Sequence, residues 1–209
     1  MMRLYYDETL CPRLACAVAR HLALPVKYVR VTLGQGEHKQ PGFLALNPNG
    51  LVPALEDGAR VIWETTAITT HMALRAGSAL WPREPERQVD VLRWFSWAAD
   101  HFNRAGGTLY FEHLIKARFD LGDPDAEAIA AAQADFRRHA AVLEAHLDGR
   151  AWLLGEAPTL ADLHVAAVLP YAAEARIPLR EFPRIARWHD QLDAWPAWRA
   201  PFPETVLAA

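Results

Sequence analysis

The stretch from residue 47 to residue 68, NPNGLVPALEDGARVIWETTAI, constrains the fold more than any other part of the chain. Two short apolar runs, residues 51–55 and 60–63, flank a turn-forming Glu-Asp-Gly sequence and predict a β-hairpin. Pro53 is unusual inside the first of these strands, because proline cannot donate a hydrogen bond to a β-ladder. A cis Val52-Pro53 peptide bond is one arrangement that accommodates it, and such a bond turns the backbone of Val52 outward as a free peptide edge.

A helix is expected directly after the hairpin. Glu64 or Thr65 stands where a capping residue belongs. Apolar residues then follow with helical spacing, at Ala67, Ile68, Met72 and Leu74.

The residues before the hairpin predict a strand, a helix and a second strand. Residues 3–6 and 26–33 have strand character, and the helix between them should begin at Cys11-Pro12, because proline suits the first turn of a helix. This order at this spacing predicts a parallel strand pair with a right-handed crossover. Together with a short helix near Phe43, and with the hairpin and the helix after it, this order predicts an α/β domain over residues 1–77.

Strand character disappears after residue 77. Residues 78–86 contain two prolines and several charges, which is typical of a linker, and residues 87–209 predict an all-helical domain. Apolar residues with helical spacing mark its helices, at Leu92, Phe95, Ala99 and Phe102, at Ile129, Ala132, Phe136, Ala140, Leu143 and Leu147, at Leu160, Leu163, Ala166, Ala167 and Leu169, and at Ile185, Trp188, Leu192 and Trp195. The sequence from Thr159 to Asp162 is a capping-box pattern, which accounts for Asp162 without chemistry.

The composition excludes several classes of protein. A formal net charge of -3 and the lack of a basic run argue against nucleic-acid binding, which needs a basic face. Neither the spacing of Cys11 and Cys16 nor the dispersed histidines match a metal site, so we expect none. No apolar stretch is long enough to span a bilayer and no signal peptide is recognisable, which predicts a cytoplasmic protein that does not act at a membrane.

The chain resembles the cytosolic glutathione transferases over nearly its whole length. The resemblance is carried by NPNGLVPAL followed by WETTAI and, about a hundred residues later, by TLADLHVA in the helical half. The family has a thioredoxin-like N-terminal domain joined to an all-helical domain and is usually homodimeric. The resemblance therefore implies that fold, glutathione as co-substrate and a homodimer, with a bacterial, beta- or theta-like class.

The resemblance also implies roles for matching residues. Val52 beside a cis Pro53 would meet the cysteinyl backbone of glutathione, Glu64 and Thr65 would hold its γ-glutamyl end, and the candidates for its glycine carboxylate are His38 and Lys39. These residue types suit an extended, anionic tripeptide, which needs strand-like backbone bonds, cationic side chains and a helix start for its carboxylates.

The residues do not decide which side chain activates the glutathione thiol. The run MRLYYDETLCP resembles the beta class with a cysteine at Cys11, where a helix N-terminus should lower the thiol pKa. A theta-like alignment instead brings the activating serine position onto Leu10. In that alignment Thr9, Tyr6 or Cys11 would lie near the thiol.

Three functions are compatible with these residues. The first is conjugation of the glutathione thiolate to small electrophiles. The second is glutathione-dependent thiol transfer or peroxidase chemistry that uses Cys11 covalently on a disulfide substrate, and the third is a non-enzymatic glutathione-binding protein. The candidates to line an electrophile pocket are aromatic residues around Gly106-Gly107, namely Phe102, Tyr110, Phe111, His113 and Phe119.

Overall fold

The computed structural model describes residues 1–203, and the chain in it divides into two compact units. The first unit contains residues 1–78 together with the segment that starts at Ala194, and the second contains residues 79–193. The first unit carries a β-sheet and the second is helical, in agreement with the predicted fold class.

The sheet of the first unit has four strands in the order β2-β1-β3-β4. These are β1 (Met2–Tyr6), β2 (Val26–Arg30), β3 (Ala54–Asp57) and β4 (Arg60–Trp63). β1 pairs with β2 in parallel, whereas β3 is antiparallel to both β1 and β4. The predicted parallel pair and the predicted hairpin are therefore confirmed.

The strand register brings several chain segments to one end of the sheet. Tyr5 pairs with Ala54, the first residue of β3, and Ala54 pairs with Trp63, the last residue of β4. Tyr6, the last residue of β1, pairs with Arg30, the last residue of β2. The segments that follow β1, β2 and β4 and the segment that precedes β3 therefore all lie at the end of the sheet where β1 finishes.

Three helices complete this part of the first unit. α1 (Leu10–His21) begins within one residue of the predicted start, and α2 (Pro41–Leu44) is the short helix expected near Phe43. α3 (Thr65–Ala76) follows the hairpin directly. Short 3-10 turns at Leu33–Gln35 and Glu37–Lys39 lie between β2 and α2.

The last described residues group with the first unit, whereas the sequence assigns them to a helical domain of residues 87–209. The short helix α10 (Pro196–Arg199) packs on α1, and its Trp198 is buried against the guanidinium of Arg13. This partner is some 185 positions away along the chain, a separation that no local pattern reports. Residues 204–209 of the predicted domain lie outside the described residues.

The second unit consists of one interrupted helical run and three further helices. Its elements are α4 (Pro85–Trp97), a π-turn (Ala98–Phe102), α5 (Asn103–Tyr110), a second π-turn (Phe111–Ile115), α6 (Lys116–Phe119), α7 (Ala126–His146), α8 (Leu160–Val165) continued by a 3-10 turn (Ala166–Tyr171), a 3-10 turn (Leu179–Glu181) and α9 (Pro183–Asp193).

The buried face of the helical run that begins at α4 agrees in part with the predicted one. Phe95 and Phe102 are buried as predicted, whereas Leu92 is 50% exposed and Ala99 is also exposed. Val91 and Trp94, which are not among the predicted residues, are buried as well. Apolar residues occur on more than one face of this helix, since Val89 and Leu92 are exposed while Val91 and Trp94 are buried. Burial of the large Trp94 side chain, which removes more apolar area from water than Leu92 would, agrees with the observed choice.

The start of α8 is specified locally, as the sequence predicts. Thr159 accepts a hydrogen bond from the backbone of Ala161, and Asp162 accepts one from the backbone N–H of Thr159 at 2.8 Å, which completes a capping box. Asp162 also accepts from Leu153 N–H and from the Trp188 indole. Among the described residues, no helix is both long and apolar enough to cross a membrane.

Candidate functional site

Cys11, Thr65 and Glu64 come together at the end of the sheet where β1 finishes. Cys11 is the second residue of α1 and Thr65 is the first residue of α3, so both lie at helix starts. α1 packs against α3, and the Thr65 side chain lowers the pKa of the Cys11 thiol by hydrogen bonding, while the Glu64 carboxylate is close enough to act on the thiol electrostatically. Three of the sequence-predicted site residues therefore form one group.

The surroundings of Cys11 raise the pKa of its thiol. Cys11 is exposed to solvent as a residue, but the protein packed around its sulfur removes water and raises the pKa, and the Glu64 carboxylate acts in the same direction. The hydrogen bond with Thr65 lowers the pKa and offsets only part of this. The lowered pKa predicted from the helix start is therefore wrong, because desolvation is the largest influence on the pKa of this thiol and raises it.

Glu64 has a backbone conformation that is rare for a residue with a side chain. Its φ is 71°, and although it occupies the N-cap position of α3, its side chain makes no capping hydrogen bond. Such a conformation costs of order 1–3 kcal/mol and persists where the surrounding structure demands it. Glu64 therefore occupies the N-cap position, as predicted, but its side chain does not cap the helix and its carboxylate remains near Cys11.

The Val52-Pro53 peptide bond is cis, as the hairpin sequence suggests. The ladder of β3 begins one residue later, at Ala54, so Pro53 precedes the strand instead of lying within it. Proline offers no N–H for pairing, which explains why the strand starts after it. Val52 is half-buried and packs against the cluster of Val31, Phe43 and Ala54, which fixes the loop in front of the sheet.

Two buried polar residues shape the loops at this end of the sheet, and the sequence analysis did not single them out. Asp7 accepts hydrogen bonds from Glu8 N–H at 2.8 Å and Leu33 N–H at 3.2 Å, and so ties the end of β1 to the segment after β2. Asn47 donates to the carbonyl of Leu51 at 2.7 Å and holds the turn that leads into Val52. For Asn47, the turn-forming Asn-Pro-Asn-Gly sequence is the pattern from which its role in the turn could be predicted.

His38 and Lys39 lie in the segment after β2. The ammonium of Lys39 is 3.4 Å from the carbonyl of Gly50, so this segment contacts the loop that precedes Val52. Nδ1 of His38 is buried and has no hydrogen-bond partner among the described residues. Desolvation lowers the pKa of His38, with a smaller contribution from Lys39, so its imidazole is neutral at physiological pH.

Tyr6 and Thr9, the other two candidates for thiol activation, have different surroundings. Tyr6 is buried between Phe202, on which its ring stacks at 6.0 Å, and Tyr28, whose ring it meets edge-on. Its ring is thus part of the interior of the first unit. Thr9 is the N-cap residue of α1, and its hydroxyl makes no capping hydrogen bond.

The aromatic residues proposed for an electrophile pocket have different surroundings within the second unit. Phe102 is fully buried and packs on Phe136 with ring centroids 4.7 Å apart, so it belongs to the core of the second unit. Tyr110 packs on Tyr171 at 4.6 Å, whereas Phe111 is 42% exposed.

The remaining members of that set have local contacts. His113 has a buried ring nitrogen, Nε2, without a hydrogen-bond partner among the described residues, and Phe119 is covered by the Arg118 guanidinium. A separate cavity of about 500 Å³ between α5 and α7 has a mostly polar lining that includes His101, Arg104 and His139. Among residues 1–203 there is no cluster of three or more metal-ligating side chains.

Both units match family models. The model described as "Glutathione S-transferase, N-terminal domain" matches residues 5–73, and the model described as "Glutathione S-transferase, C-terminal domain" matches residues 100–196. The first match spans the sheet and the group around Cys11, and the second spans most of the helical unit.

Individual proteins agree with the family models. The chain is 33% identical to "Glutathione S-transferase 3" of Zea mays over 97% of this chain and 92% of that protein. Glutathione transferase F7 from Populus trichocarpa superposes with a TM-score of 0.88 at 26% identity, over 96% of this chain and 97% of that one. A theta-class glutathione S-transferase from Xanthomonas axonopodis pv. citri, solved with glutathione bound, superposes with a TM-score of 0.86 at 26% identity, over 100% and 98% of the two chains. The chain therefore belongs to the glutathione S-transferase family.

Proposed function

We propose that this glutathione S-transferase holds glutathione at the end of the sheet where β1 finishes and conjugates its thiolate to small electrophiles. In this proposal the cysteinyl backbone of glutathione pairs with Val52 beside the cis Pro53, as an added strand would. Its γ-glutamyl carboxylate meets the start of α3 at Thr65, and its ammonium meets Glu64. A cation from Lys39 or a hydrogen bond from His38 serves the glycine carboxylate.

The observation that carries the proposal is the contact between Cys11 and Thr65. These residues are 54 positions apart in sequence, yet their side chains are hydrogen-bonded at two neighbouring helix starts with the Glu64 carboxylate beside them. Free N–H groups at a helix start favour anions, so two such starts at one place suit a ligand with two carboxylates and a thiolate.

The raised pKa of Cys11 favours a hydrogen-bonding role over a covalent one. A thiol whose pKa is raised remains protonated at neutral pH and is a poor nucleophile. A protonated thiol can donate a hydrogen bond to the sulfur of bound glutathione, as the hydroxyls of Thr65 and Thr9 also can. Donors that point at a developing thiolate stabilise it and lower its pKa.

The proposed reaction then runs in two steps. The proton of the glutathione thiol is lost to water, and the thiolate is held by donors from Cys11, Thr65 or Thr9. The sulfur then attacks an electrophilic carbon, so that a carbon–sulfur bond forms and the leaving group departs with its electron pair. Holding both reactants together supplies part of the rate enhancement.

A Cys11→Ala variant tests this role, with Cys11→Ser as its conservative partner and Cys16→Ala as a matched control. Cys16 is fully buried in the middle of α1 and burial raises its thiol pKa to about 12, so it takes no part. We expect Cys11→Ala to lower kcat for conjugation roughly tenfold, the effect of losing about 1.4 kcal/mol of transition-state stabilisation. Cys11→Ser should retain most of the activity. Equal conjugation rates in all three variants would remove Cys11 from the mechanism.

The second candidate function is thiol transfer by Cys11, and its exposure is the observation that favours it. The Cys11 thiolate would attack a glutathione mixed disulfide, forming a Cys11–glutathione disulfide and releasing the other thiol. A second glutathione would then release oxidised glutathione and regenerate Cys11. If Cys11→Ala loses disulfide exchange but keeps full conjugation, thiol transfer is the function of Cys11 and conjugation does not depend on it. Reduction of a peroxide would begin differently, because the Cys11 thiolate would break the O–O bond, release an alcohol or water and become a sulfenic acid. One glutathione would convert the sulfenic acid to a mixed disulfide with loss of water, and a second would release oxidised glutathione and regenerate Cys11.

Calorimetry with glutathione on the wild-type protein separates the enzymes from the third function. Binding without turnover of chloroaromatics, isothiocyanates or disulfides would support a non-enzymatic binding protein, although family membership favours an enzyme. We also propose that residues 1–77 bind glutathione, that residues 87–209 bind the electrophile or disulfide, and that the enzyme is cytoplasmic and of a beta- or theta-like class.

We further propose that the protein is a homodimer. β4 is an edge strand, and it exposes Val61 (40%) and Trp63 (42%), while Leu74 on α3 is 60% exposed. Exposed edge strands with large apolar side chains are typical of association surfaces. Sedimentation of the wild type should give twice the chain mass, and Trp63→Arg should shift it towards the monomer. A monomeric wild type at all concentrations would refute the proposal.

A further inference from the structure

The segment from Trp195 to Phe202 lies along α1 and is attached to it by several side chains. The ring of His21 stacks on Trp195 with centroids 4.0 Å apart and an interplanar angle of 13°. Arg20 donates to the carbonyl of Phe202 at 2.6 Å. We call residues 195–202 the C-terminal strap.

The tightest attachment of the C-terminal strap is at Arg13. The Arg13 guanidinium donates to the carbonyl of Trp198 and lies 4.9 Å from the centroid of the Trp198 ring. Arg13 is 6% exposed and Trp198 is 1% exposed. A buried guanidinium in such a contact is strongly fixed, because burial removes the water that would otherwise solvate its charge and the protein contacts must take its place.

The first turn of α1, which carries Cys11, has little local stabilisation. Its N-cap residue, Thr9, makes no side-chain capping hydrogen bond, and there is no acidic residue in this turn. Helix starts without these devices lose about 1 kcal/mol relative to capped ones and fray more readily. Arg13 is only two residues after Cys11, and its backbone N–H bonds to the carbonyl of Thr9 at 2.9 Å.

We infer that Arg13 and Trp198 are positioning residues for Cys11, so that the C-terminal strap holds the first turn of α1 against α3. The tertiary contact with the strap stabilises the first turn of α1 in place of the missing Thr9 cap. The Cys11 thiol, which must keep its hydrogen bond with Thr65, lies in this turn. Arg13 acts through the position of the helix. The inference depends on the proposed function in one respect only, namely that the Cys11 thiol takes part in the reaction.

Loosening this turn has a predictable effect on the thiol. Removal of water by the surrounding protein is the largest influence on Cys11, and it makes the thiol a weaker acid. A frayed turn admits water, so the thiol becomes more acidic and more accessible, and its alkylation becomes faster. Fraying also separates the Cys11 and Thr65 side chains, which offsets part of this gain in acidity, because desolvation is the larger of the two influences, and which should weaken binding of glutathione.

The test is the pH dependence of Cys11 alkylation by iodoacetamide. It is measured in a Cys16→Ala background, so that Cys11 is the only cysteine that can be alkylated. The test variants are Arg13→Met and Trp198→Ala. We expect alkylation roughly threefold faster near neutral pH, with the midpoint of the rate profile at lower pH. Trp198→Phe keeps an aromatic face and the backbone carbonyl, and should restore the wild-type profile.

Arg20→Met is the matched control, because Arg20 also bonds to the C-terminal strap but lies nine residues from Cys11. It should leave the alkylation profile unchanged. Profiles of Arg13→Met and Trp198→Ala identical to the wild type, or an equal shift in Arg20→Met, would overturn the inference. If Arg13→Met does not fold by circular dichroism, Arg13→Lys serves in its place. Alkylation needs no glutathione, so the inference can be decided even if glutathione does not bind.

Discussion

Replacing Thr65 by valine removes one hydroxyl and changes little else. The hydroxyl lowers the pKa of the Cys11 thiol through a hydrogen bond, whereas valine has the same shape and cannot form that bond. Thr65 is not the capping residue of α3, and its backbone carbonyl still accepts from the Thr69 hydroxyl at 2.9 Å. We therefore expect the free energy of unfolding to change by no more than about 0.5 kcal/mol.

The effect on Cys11 follows from the strength of the lost bond. Hydrogen bonds to charged groups contribute about 1.5–3 kcal/mol, and the lower end applies because Cys11 is exposed to water on one side. A loss of about 1.4 kcal/mol from the thiolate form is a factor of ten. Thr65→Val should therefore raise the thiol pKa further and slow alkylation near neutral pH roughly tenfold.

The assay is alkylation of Cys11 over a range of pH, together with calorimetry of glutathione binding. Thr65→Ser keeps the hydroxyl and should behave as the wild type, and Thr66→Val changes the neighbouring residue of the same turn and should have no effect. An unchanged or faster rate in Thr65→Val would refute the reasoning. A rate equally slow in Thr66→Val would show that the effect is not specific to the hydrogen bond.

Three further predictions concern stability. Asp162→Ala removes the acceptor of four buried donors, among them the Thr159 N–H, and should cost at least about 3 kcal/mol in urea unfolding. Gly106→Ala places a Cβ 2.8 Å from a methyl carbon of Val168, and the resulting strain of about 1–3 kcal/mol should exceed the gain of up to about 1 kcal/mol in helix propensity. The His71 hydrogen bond lowers the pKa of Asp57, so stability present above the ordinary Asp pKa should be lost as pH falls through the folded pKa.

Each of these predictions has a control. Gly107→Ala meets nothing within 4 Å and should stabilise the protein, opposite in sign to its neighbour. Asp90→Ala removes an exposed carboxylate and should change the free energy of unfolding little. Asp57→Asn should flatten the acid limb of the stability profile. A stabilised Gly106→Ala, a harmless Asp162→Ala, or an acid limb unchanged by Asp57→Asn would each contradict its prediction.

The parts of the fold that local sequence specifies are the parts that the sequence predicts well. The hairpin, the start of α1 and the capping box at Thr159 depend on neighbouring residues, so a pattern of a few positions reports them. Pro53 even indicates the cis bond, because few backbone arrangements accommodate a proline directly before a paired strand.

The parts that the sequence does not report depend on distant residues. The attachment of Trp198 to Arg13 joins two segments of the first unit that the helical unit separates along the chain. The burial of Trp94 instead of Leu92 is decided by packing. The sign of the Cys11 pKa shift depends on how much protein surrounds the sulfur, which no spacing along the chain contains.

A crystal structure of the protein with glutathione would locate the thiol relative to Cys11. We expect the glutathione sulfur within hydrogen-bond distance of Cys11, Thr65 or Thr9, and its cysteinyl backbone paired with Val52. Glutathione bound elsewhere, or bound here with its sulfur directed away from the first turn of α1, would rule out the proposed site.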